Sequence, residues 1–267
     1  MILTIDIGNT TIQGCLFEEN KNILTFRKST NPNFSSDEIG MFLRNVILLN
    51  GFDYKKIKFI SCCSVVPSLN HSIANAFKKY FNIDGLFVQS GIKTGLKLKY
   101  SNPKEIGADR ISASIGASVL FPNKNLIVVD MGTATTIDVI TKQGEYLGGA
   151  ILPGIKMSVT SLATGTAKLP TVEILKPSKV CGSSTIEAIQ SGIYFSQVGA
   201  IKQFIENFQK QIFDGEKPIV VATGGFSKLF ESENIFEAIV SDLVHIGLLK
   251  ILELNKNENW SIKIKIT

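Results

Sequence analysis

The chain has 267 residues, of which 44% are hydrophobic, with a mean hydropathy of +0.20 and a formal net charge of +5. This composition is typical of one large or two moderate globular domains and excludes a disordered chain. No apolar run approaches the roughly 20 residues that span a bilayer, and the N-terminus lacks the basic start of a signal peptide. We therefore expect a cytoplasmic location, no membrane partner and, because the charge is modest, no nucleic-acid partner.

The first half of the chain predicts strands and helices in alternation. "ILTIDIG", "TIQGCLFEE" and "NKNILTFRKS" predict three strands, and residues 35–49 predict a helix with Ser36 as its N-cap. "KIKFISCCSVV" then predicts a buried strand, "PSLNHSIANAFKKYF" a second helix and "GLFVQS" a further strand. A third helix is predicted over "RISASIGASVLF".

The pattern restarts at residue 125. "NLIVVDMGTATTIDVITKQGEYLGGAILPG" predicts a strand ending in Asp130, a Gly/Thr loop and two further strands, in the same order as the segment around Asp6. A long helix from about 184 to 212 follows, opened by a Ser184-x-x-Glu187 capping box. The strand "PIVVATGG" and a last helix through "DLVHIGLLKILEL" come next. This echo predicts a duplicated α/β architecture, divided into residues 1–118 and 119–267, with a ligand cleft between the halves.

Each half offers a loop whose residue types suit phosphate. Glycine lets backbone N–H groups approach phosphate oxygens, and an acid at a strand end can hold Mg²⁺. Alone, each loop is better explained as a tight β-hairpin turn. Two such loops at matching places favour the phosphate interpretation. The two sets are Asp6, Gly8, Asn9 and Thr10, and Asp130, Gly132, Thr133 and Thr135.

Other common motifs are missing from the sequence, which contains neither G-x-x-x-x-G-K-[ST] nor G-x-G-x-x-G. The histidines, His71 and His245, fall on predicted helices, where surface or packing roles are expected. This argues against most Ser-His, Cys-His and H-E-x-x-H mechanisms. The cysteines are expected to be small buried core residues rather than zinc ligands or disulfides. They are Cys15, Cys62, Cys63 and Cys181.

A carboxylate is therefore the remaining candidate for a catalytic base. "GADR" pairs Asp109 with Arg110 where the third helix is predicted to begin. One interpretation is an acid that stabilises the helix through its dipole. The other is a general base beside a cation that binds an anionic substrate or developing phosphate charge. Spacing alone does not separate them, nor does it decide whether "ATGGFS" (222–227) carries an adenine or is a simple turn.

Seven segments together resemble the type III pantothenate kinases, in the superfamily of acetate and sugar kinases, Hsp70 and actin. They stand in family order over nearly the whole chain: "DIGNT" (6–10), "YSNP" (100–103), "GADR" (107–110), "DMGTATTID" (130–138), "GGAILPGI" (148–155), "STIEAIQSG" (184–192) and "TGG" (223–225). The resemblance implies α/β duplicated actin-like (ribonuclease H-like) domains flanking a central nucleotide cleft. It also implies an enzyme: ATP phosphorylates the pantothenate 4′-hydroxyl to 4′-phosphopantothenate, the first step of coenzyme A biosynthesis.

The resemblance further implies a role for individual residues. Asp109 matches the general base, Asp130 a monovalent-cation ligand for K⁺ or ammonium, and Asp6 a position near Mg²⁺, met directly or through water. ATP is expected to contact Asp6, Ile7, Gly8, Asn9, Thr10, Thr11, Ile12, Gln13 and Thr133. Pantothenate is expected to contact Tyr100, Gly107, Ala108, Asp109, Arg110 and Thr185. Because Thr185 falls in the first turn of a capped helix, it is expected to help hold the pantothenate carboxylate. A homodimer is also implied.

Two other interpretations remain open at this point. One is another kinase or a phosphatase of the same superfamily, acting on a sugar or polyphosphate; "GADR" and the Tyr100 segment favour pantothenate instead. The other is an actin-like structural protein or a regulatory ATP-binding module. Filament formers of this superfamily are usually longer, and a retained candidate base argues for catalysis.

Overall fold

The computed structural model of the chain describes residues 1–256, which form two compact units. The first unit contains Met1–Leu96, Ser101–Leu120 and residues 242–256. The second contains Lys97–Tyr100 and Phe121–Ser241. The last helix, which the sequence placed in the second half, thus belongs to the first unit. The division at residue 118 into duplicated domains stays a prediction, and residues 257–267 lie outside the described residues.

Strands and helices alternate along the described chain. The strands are β1 (Ile2–Ile7), β2 (Thr11–Glu18), β3 (Lys21–Ser29), β4 (Phe59–Ser64), β5 (Leu86–Phe87), β6 (Lys97–Leu98), β7 (Leu126–Met131), β8 (Ala134–Ile140), β9 (Glu145–Pro153), β10 (Ile219–Thr223) and β11 (Ala238–Ile239). The α-helices are α1 (Ser36–Leu49), α2 (Pro67–Phe81), α3 (Ala108–Leu120), α4 (Ile155–Gly165), α5 (Thr185–Gln211) and α6 (Leu243–Asn255). Short 3₁₀ turns cover Tyr54–Lys56, Pro103–Glu105 and Ser227–Glu233.

The first unit is built on a sheet in the order β3-β2-β1-β4-β5. Strand β1 pairs antiparallel with β2 and parallel with β4. Since side chains alternate across a strand, Leu3, Ile5 and Ile7 share one face of β1, and they join the core that α1 and α2 cover. Thr4 and Asp6 lie on the opposite face.

Helices α3 and α6 pack tightly against each other in the first unit. A Cβ at Gly116 would overlap the Leu243 carbonyl, and one at Gly247 would overlap the Ser112 carbonyl. Only glycine permits this close approach of the two backbones. Helix α6 also contacts β1 and β4, since Thr4 Oγ1 lies 2.8 Å from His245 Nδ1 and Ser61 Oγ donates to Leu248 O at 3.1 Å. Helix α6, late in the sequence, therefore packs against strands from the beginning of the sequence.

The second unit repeats the strand arrangement of the first. Its sheet has the order β11-β10-β7-β8-β9-β6, so a central strand again pairs antiparallel with the next strand and parallel with a later one. β1 and β7 both have six residues and the same order of buried and partly exposed positions, with the acid second to last. Helices α4 and α5 contribute Ile155, Val159 and Ile193 to the core over this sheet. This internal correspondence confirms the duplicated α/β class.

Several local predictions need correction. Ser35, not Ser36, caps α1, because its side chain accepts from Glu38 N and Glu38 bonds back to Ser35 N. "GLFVQS" forms only the two-residue β5, and α4 was not predicted. Cys15, Cys62 and Cys63 are buried as expected, but Cys181 is exposed because it lies in the loop that precedes α5. Within residues 1–256, every helix is too short or too polar to cross a membrane.

Candidate functional site

The first hairpin loop, between β1 and β2, is held by hydrogen bonds within the loop and from Thr30. Gly8 N donates to Thr11 O at 3.0 Å, and Thr30 donates through Oγ1 to Gly8 O at 2.7 Å and through N to Thr10 O at 2.9 Å. Asn9 and Thr10 are exposed at the tip, whereas the side chains of Ile7 and Ile12 lie in the core. Those two isoleucines can therefore offer only backbone groups to a ligand.

Asp6 lies at the end of β1, beside this loop, and is partly exposed. The Cys63 thiol donates to Asp6 Oδ1 at 3.2 Å from the neighbouring strand β4. Burial and, as a second cause, the nearby charge of Asp109 raise the pKa of Asp6 to about 7, although the thiol hydrogen bond offsets part of the rise. The structure thus brings Asp6 and Asp109, which are about 100 residues apart in the chain, into electrostatic contact.

Asp109 is the second residue of α3, at the helix N-terminus. Its Oδ1 accepts a hydrogen bond from Arg110 N at 2.8 Å. Burial raises the pKa of Asp109, and the backbone N–H and charge of Arg110 offset only part of that rise. A Cβ at Gly107 would overlap Asp109 Oδ1, so glycine at this position leaves room for the carboxylate. The "GADR" segment therefore shapes the surroundings of one acid.

The second hairpin loop has a different support. Gly132 N donates to Ala134 O at 3.0 Å, and a Cβ at Gly154, which caps α4, would overlap the carbonyls of Gly132 and Thr133. Thr133 is exposed at the tip. Thr135, grouped with this loop from the sequence, has a buried side chain that donates to Gln197 Oε1 at 3.0 Å. It is therefore a core residue of the second unit.

Asp130 lies beside the "TGG" turn of the second unit. Gly224 follows β10, has a φ of +88°, and approaches Asp130 so closely that a Cβ there would overlap Asp130 Oδ1. A Cβ at Gly132 would lie 3.5 Å from the same oxygen. Two backbone segments thus border the Asp130 carboxylate, which explains why this turn carries glycine.

The remaining predicted pocket residues are divided between the units. Gly107, Ala108, Asp109 and Arg110 lie in the first unit, and Tyr100 and Thr185 lie in the second. The Tyr100 ring packs 6.3 Å from that of Tyr146, over Gly148, whose φ is +104°. Thr185 is the exposed first residue of α5.

The N-terminus of α5 is capped by two serines. Ser184 Oγ accepts from Glu187 N at 3.2 Å, as the predicted capping box requires. The Glu187 carboxylate, however, accepts from Ser183 N at 2.7 Å rather than from Ser184 N. The hydrogen bond from Ser183 N, with those from the Ser183 hydroxyl and Lys179, lowers the pKa of Glu187 to about 2. An anionic side chain therefore already lies beside this helix end.

A family model described as type III pantothenate kinase matches residues 2–207. The chain belongs to the type III pantothenate kinase family. A type III pantothenate kinase of Legionella pneumophila (strain Corby) is 47% identical over 248 residues, which cover 93% of this chain and 96% of that protein. The one of Elusimicrobium minutum (strain Pei191) is 42% identical over 257 residues, covering 96% and 100%.

Solved structures of other proteins share the fold of this chain. A Campylobacter jejuni structure, described as a Baf family transcriptional activator, has a TM-score of 0.61 at 20% identity and covers 94% of this chain and 97% of its own. A Listeria monocytogenes protein described as an N-acetylmannosamine kinase has a TM-score of 0.53 at 11% identity and covers 94% and 98%. At these identities the likeness concerns the fold alone, and it confirms the duplicated actin-like fold class.

The acids of this pantothenate kinase fit cations by their donor chemistry. Within residues 1–256, no three His, Cys, Asp or Glu side chains lie close enough to form a metal cluster of their own. A single carboxylate such as Asp6 suits Mg²⁺ that takes its other oxygens from phosphates and water. Burial and the charge of Asp109 raise the pKa of Asp6, and a cation bound nearby would favour the charged carboxylate again.

Two contacts were not anticipated from the sequence of the type III pantothenate kinase. Cys63 was expected only as a core residue, since its apolar neighbours give no sign that its thiol meets Asp6. The closeness of Gly224 to Asp130 could have been suspected from "TGG", because repeated glycine after a strand often marks close backbone approach.

Proposed function

We propose that this chain transfers the γ-phosphoryl group of ATP to the 4′-hydroxyl of pantothenate, giving 4′-phosphopantothenate and ADP. The observation that carries the proposal is the closeness of Asp6 and Asp109 in the first unit. One acid lies beside a glycine hairpin suited to phosphates, and the other begins a helix within "GADR". Family membership supports pantothenate as the acceptor.

Asp109 acts as the general base in this proposal. The hydroxyl oxygen bonds to the γ-phosphorus, the bond from that phosphorus to the β,γ-bridging oxygen breaks, and the hydroxyl proton passes to Asp109. A primary alcohol is a poor nucleophile, so a carboxylate within hydrogen-bond reach assists as the new bond forms. Burial supports the role because it raises the pKa of Asp109 toward the working pH.

The two hairpin loops bind ATP in this proposal. Asn9 and Thr10 lie at the exposed tip of the first loop and Thr133 at that of the second, where their backbone and side-chain groups can meet phosphate oxygens. Gly8, whose N–H bonds to Thr11 O, holds the turn that presents the first tip. Phosphoryl transfer depends mainly on alignment and charge neutralisation, which such loops provide. Ile7, Thr11, Ile12 and Gln13 take part as the strand ends that hold the first loop in place.

Two kinds of cation complete the nucleotide site in this proposal. Asp6 is proposed to hold Mg²⁺, directly or through water, and Asp130 to hold K⁺ or ammonium. Bound there, the cations would neutralise phosphate charge. The position of Asp130 supports this assignment, because the backbone of two glycines, Gly132 and Gly224, borders its carboxylate.

Pantothenate is proposed to contact Tyr100, Gly107, Ala108, Asp109, Arg110 and Thr185. The exposed position of Thr185 at the first turn of α5 suits its predicted contact with the pantothenate carboxylate. Glu187 limits this contact, because its own carboxylate, bonded to Ser183, already places a negative charge beside the N-terminus of α5. A homodimer and a cytoplasmic location are kept as parts of the proposal.

The test is a coupled assay of ADP formation in potassium buffer, with and without pantothenate. ADP release that requires pantothenate supports the proposal, and mass spectrometry should identify 4′-phosphopantothenate as the product. A panel of sugars serves as the control. ADP release without any alcohol, or equal rates with a sugar, would contradict the assignment.

A further inference from the structure

The Cys63 thiol makes a polar contact with the carboxylate of Asp6. Cys63 and Asp6 are register partners on the parallel strands β4 and β1, so their side chains lie on the same face of the sheet. Cys63 is fully buried, and Sγ lies 3.2 Å from Asp6 Oδ1. The adjacent Cys62 lies on the opposite face and belongs to the hydrophobic core of the first unit.

The other polar residues on this face of β1 and β4 have structural partners. Thr4 meets His245, and Ser61 donates to Leu248 O, so both attach the sheet to α6. Cys63 instead contacts a carboxylate that is partly exposed and electrostatically coupled to Asp109. Cys63 thus differs from Thr4 and Ser61, since it bonds to the candidate site residue Asp6 and they bond to α6.

The chemistry of the contact favours one orientation of the Asp6 carboxylate. A thiol is a weak donor, but a buried hydrogen bond to a carboxylate is strengthened by the acceptor's charge. With Oδ1 held by Sγ, the second oxygen, Oδ2, is the one left to face a ligand. We propose that Cys63 is a positioning residue, which fixes the rotation of the Asp6 carboxylate for Mg²⁺-nucleotide binding.

The duplicated unit offers an independent parallel. Thr223 on β10 is the register partner of Asp130 on β7, at the position that corresponds to Cys63 opposite Asp6. Thr223 is also buried. Each unit therefore places a small side chain with a hydrogen-bond donor beside its strand-end acid. Donor chemistry at this position, rather than sulfur itself, is the shared property.

This inference rests on the proposed ATP-binding role of Asp6, so its test includes nucleotide binding as well as turnover. The variants are Cys63→Ala, which removes the donor, and Cys63→Ser, which keeps one. Cys62→Ala is the matched control, since it removes a buried thiol from the neighbouring position. Calorimetry measures the Kd of ADP with Mg²⁺ and with a chelator, and steady-state kinetics measures KM for ATP and for pantothenate.

We expect Cys63→Ala to raise the Kd for Mg²⁺-ADP and the KM for ATP by about 3- to 10-fold, the scale of one lost intramolecular hydrogen bond from a weak donor. Metal-free ADP binding and the KM for pantothenate should change less than about two-fold, well below that loss. Cys63→Ser should recover most of the affinity, and Cys62→Ala should behave as wild type. If Cys63→Ala matches Cys62→Ala, or Cys63→Ser fails to recover, the inference is wrong.

A second pair covers the case in which Cys63→Ala does not fold. Cys63→Thr and Cys63→Val have nearly the same shape and differ in the hydroxyl, so the same measurements on the two isolate the donor. Equal Kd values for this pair would overturn the inference. A wild-type protein that binds Mg²⁺-ADP but makes no phosphopantothenate would contradict the proposed function and leave the binding comparison to decide the role of Cys63.

Discussion

Gly224 leaves no room for a side chain because the Asp130 carboxylate lies against its α-carbon. A Cβ there would overlap Asp130 Oδ1 and the Met131 backbone, and the φ of +88° is unfavourable for any other residue. Gly224→Ala should therefore lower the free energy of unfolding by at least about 1 kcal/mol. Gly225→Ala is the control, since open space surrounds that glycine. Urea unfolding measures both variants, and equal losses would contradict the expectation.

Replacement of K⁺ should test Asp130 itself. If Asp130 holds a monovalent cation, wild-type activity should fall sharply when Na⁺ replaces K⁺ or ammonium. Asp130→Asn should be less active in K⁺ and should respond little to the exchange. Initial rates at constant ionic strength give the measurement. Equal wild-type rates in all three salts would remove Asp130 from this role.

Asp109→Asn should separate the two interpretations of this acid. As a general base, Asp109 supports about 10²- to 10⁴-fold of turnover, so the variant should fold and bind ATP but lose most of its kcat. Asp37→Asn is the matched control, because Asp37 also lies in the first turn of a helix, α1. If Asp109 serves only the helix dipole, both variants should lose a little stability and keep kcat within a few-fold.

Gly107→Ala should disturb the same carboxylate without removing it. The new Cβ would overlap Asp109 Oδ1, so the side chain must rotate away from Arg110 N. We expect kcat to fall by roughly 10-fold or more, since small misplacements of a catalytic group are costly. The melting temperature should change little. Gly192→Ala, at a glycine with open space around it, should leave kcat unchanged.

His245 should make the first unit sensitive to acid. Burial lowers the pKa of His245 from 6.5 to about 3, with the charge of Arg27 as a second cause. The unfolded chain therefore binds a proton between these pH values that the folded chain does not, and stability falls as the pH drops below 6.5. From pH 7.5 to 5.5 this histidine alone should lose about 1.4 kcal/mol.

Urea unfolding gives the free energy of unfolding of wild type and of His245→Gln at pH 7.5 and at pH 5.5. The effect is the difference between the two proteins in the slope of that free energy against pH. That comparison cancels the opposite contribution of Asp6, whose raised pKa favours the folded state at low pH. His71→Gln is the control, since it replaces a histidine that is exposed on α2. An unchanged slope in His245→Gln would contradict the assignment.

The sequence predicted what local pattern determines. The strands around Asp6 and Asp130 were recognisable because apolar runs end in an acid, a glycine and a polar turn. The start of the long helix α5 was predicted from the spacing of Ser184 and Glu187. Function followed from several motifs in order, since a single loop would have been no more than a hairpin turn.

Tertiary partners could not be predicted in the same way. Cys62 and Cys63 look alike in the sequence, yet strand alternation sends one to the core and the other to Asp6. Cys181 was expected to be buried, but burial depends on a loop path that composition does not specify. Helix α6 packs in the first unit because Gly116 and Gly247 let it approach α3 closely, and the sequence does not show that these two helices are neighbours.

The packing of α6 in the first unit has a consequence for the growing chain on the ribosome. Helix α3, which begins with Asp109, packs against Gly247 and its neighbours in α6, so the first unit cannot close until residues 243–255 have emerged. Translation must pass through the entire second unit before that happens. The unit that begins first is therefore completed last, and the surface of α3 that α6 covers is exposed to chaperones and proteases until then.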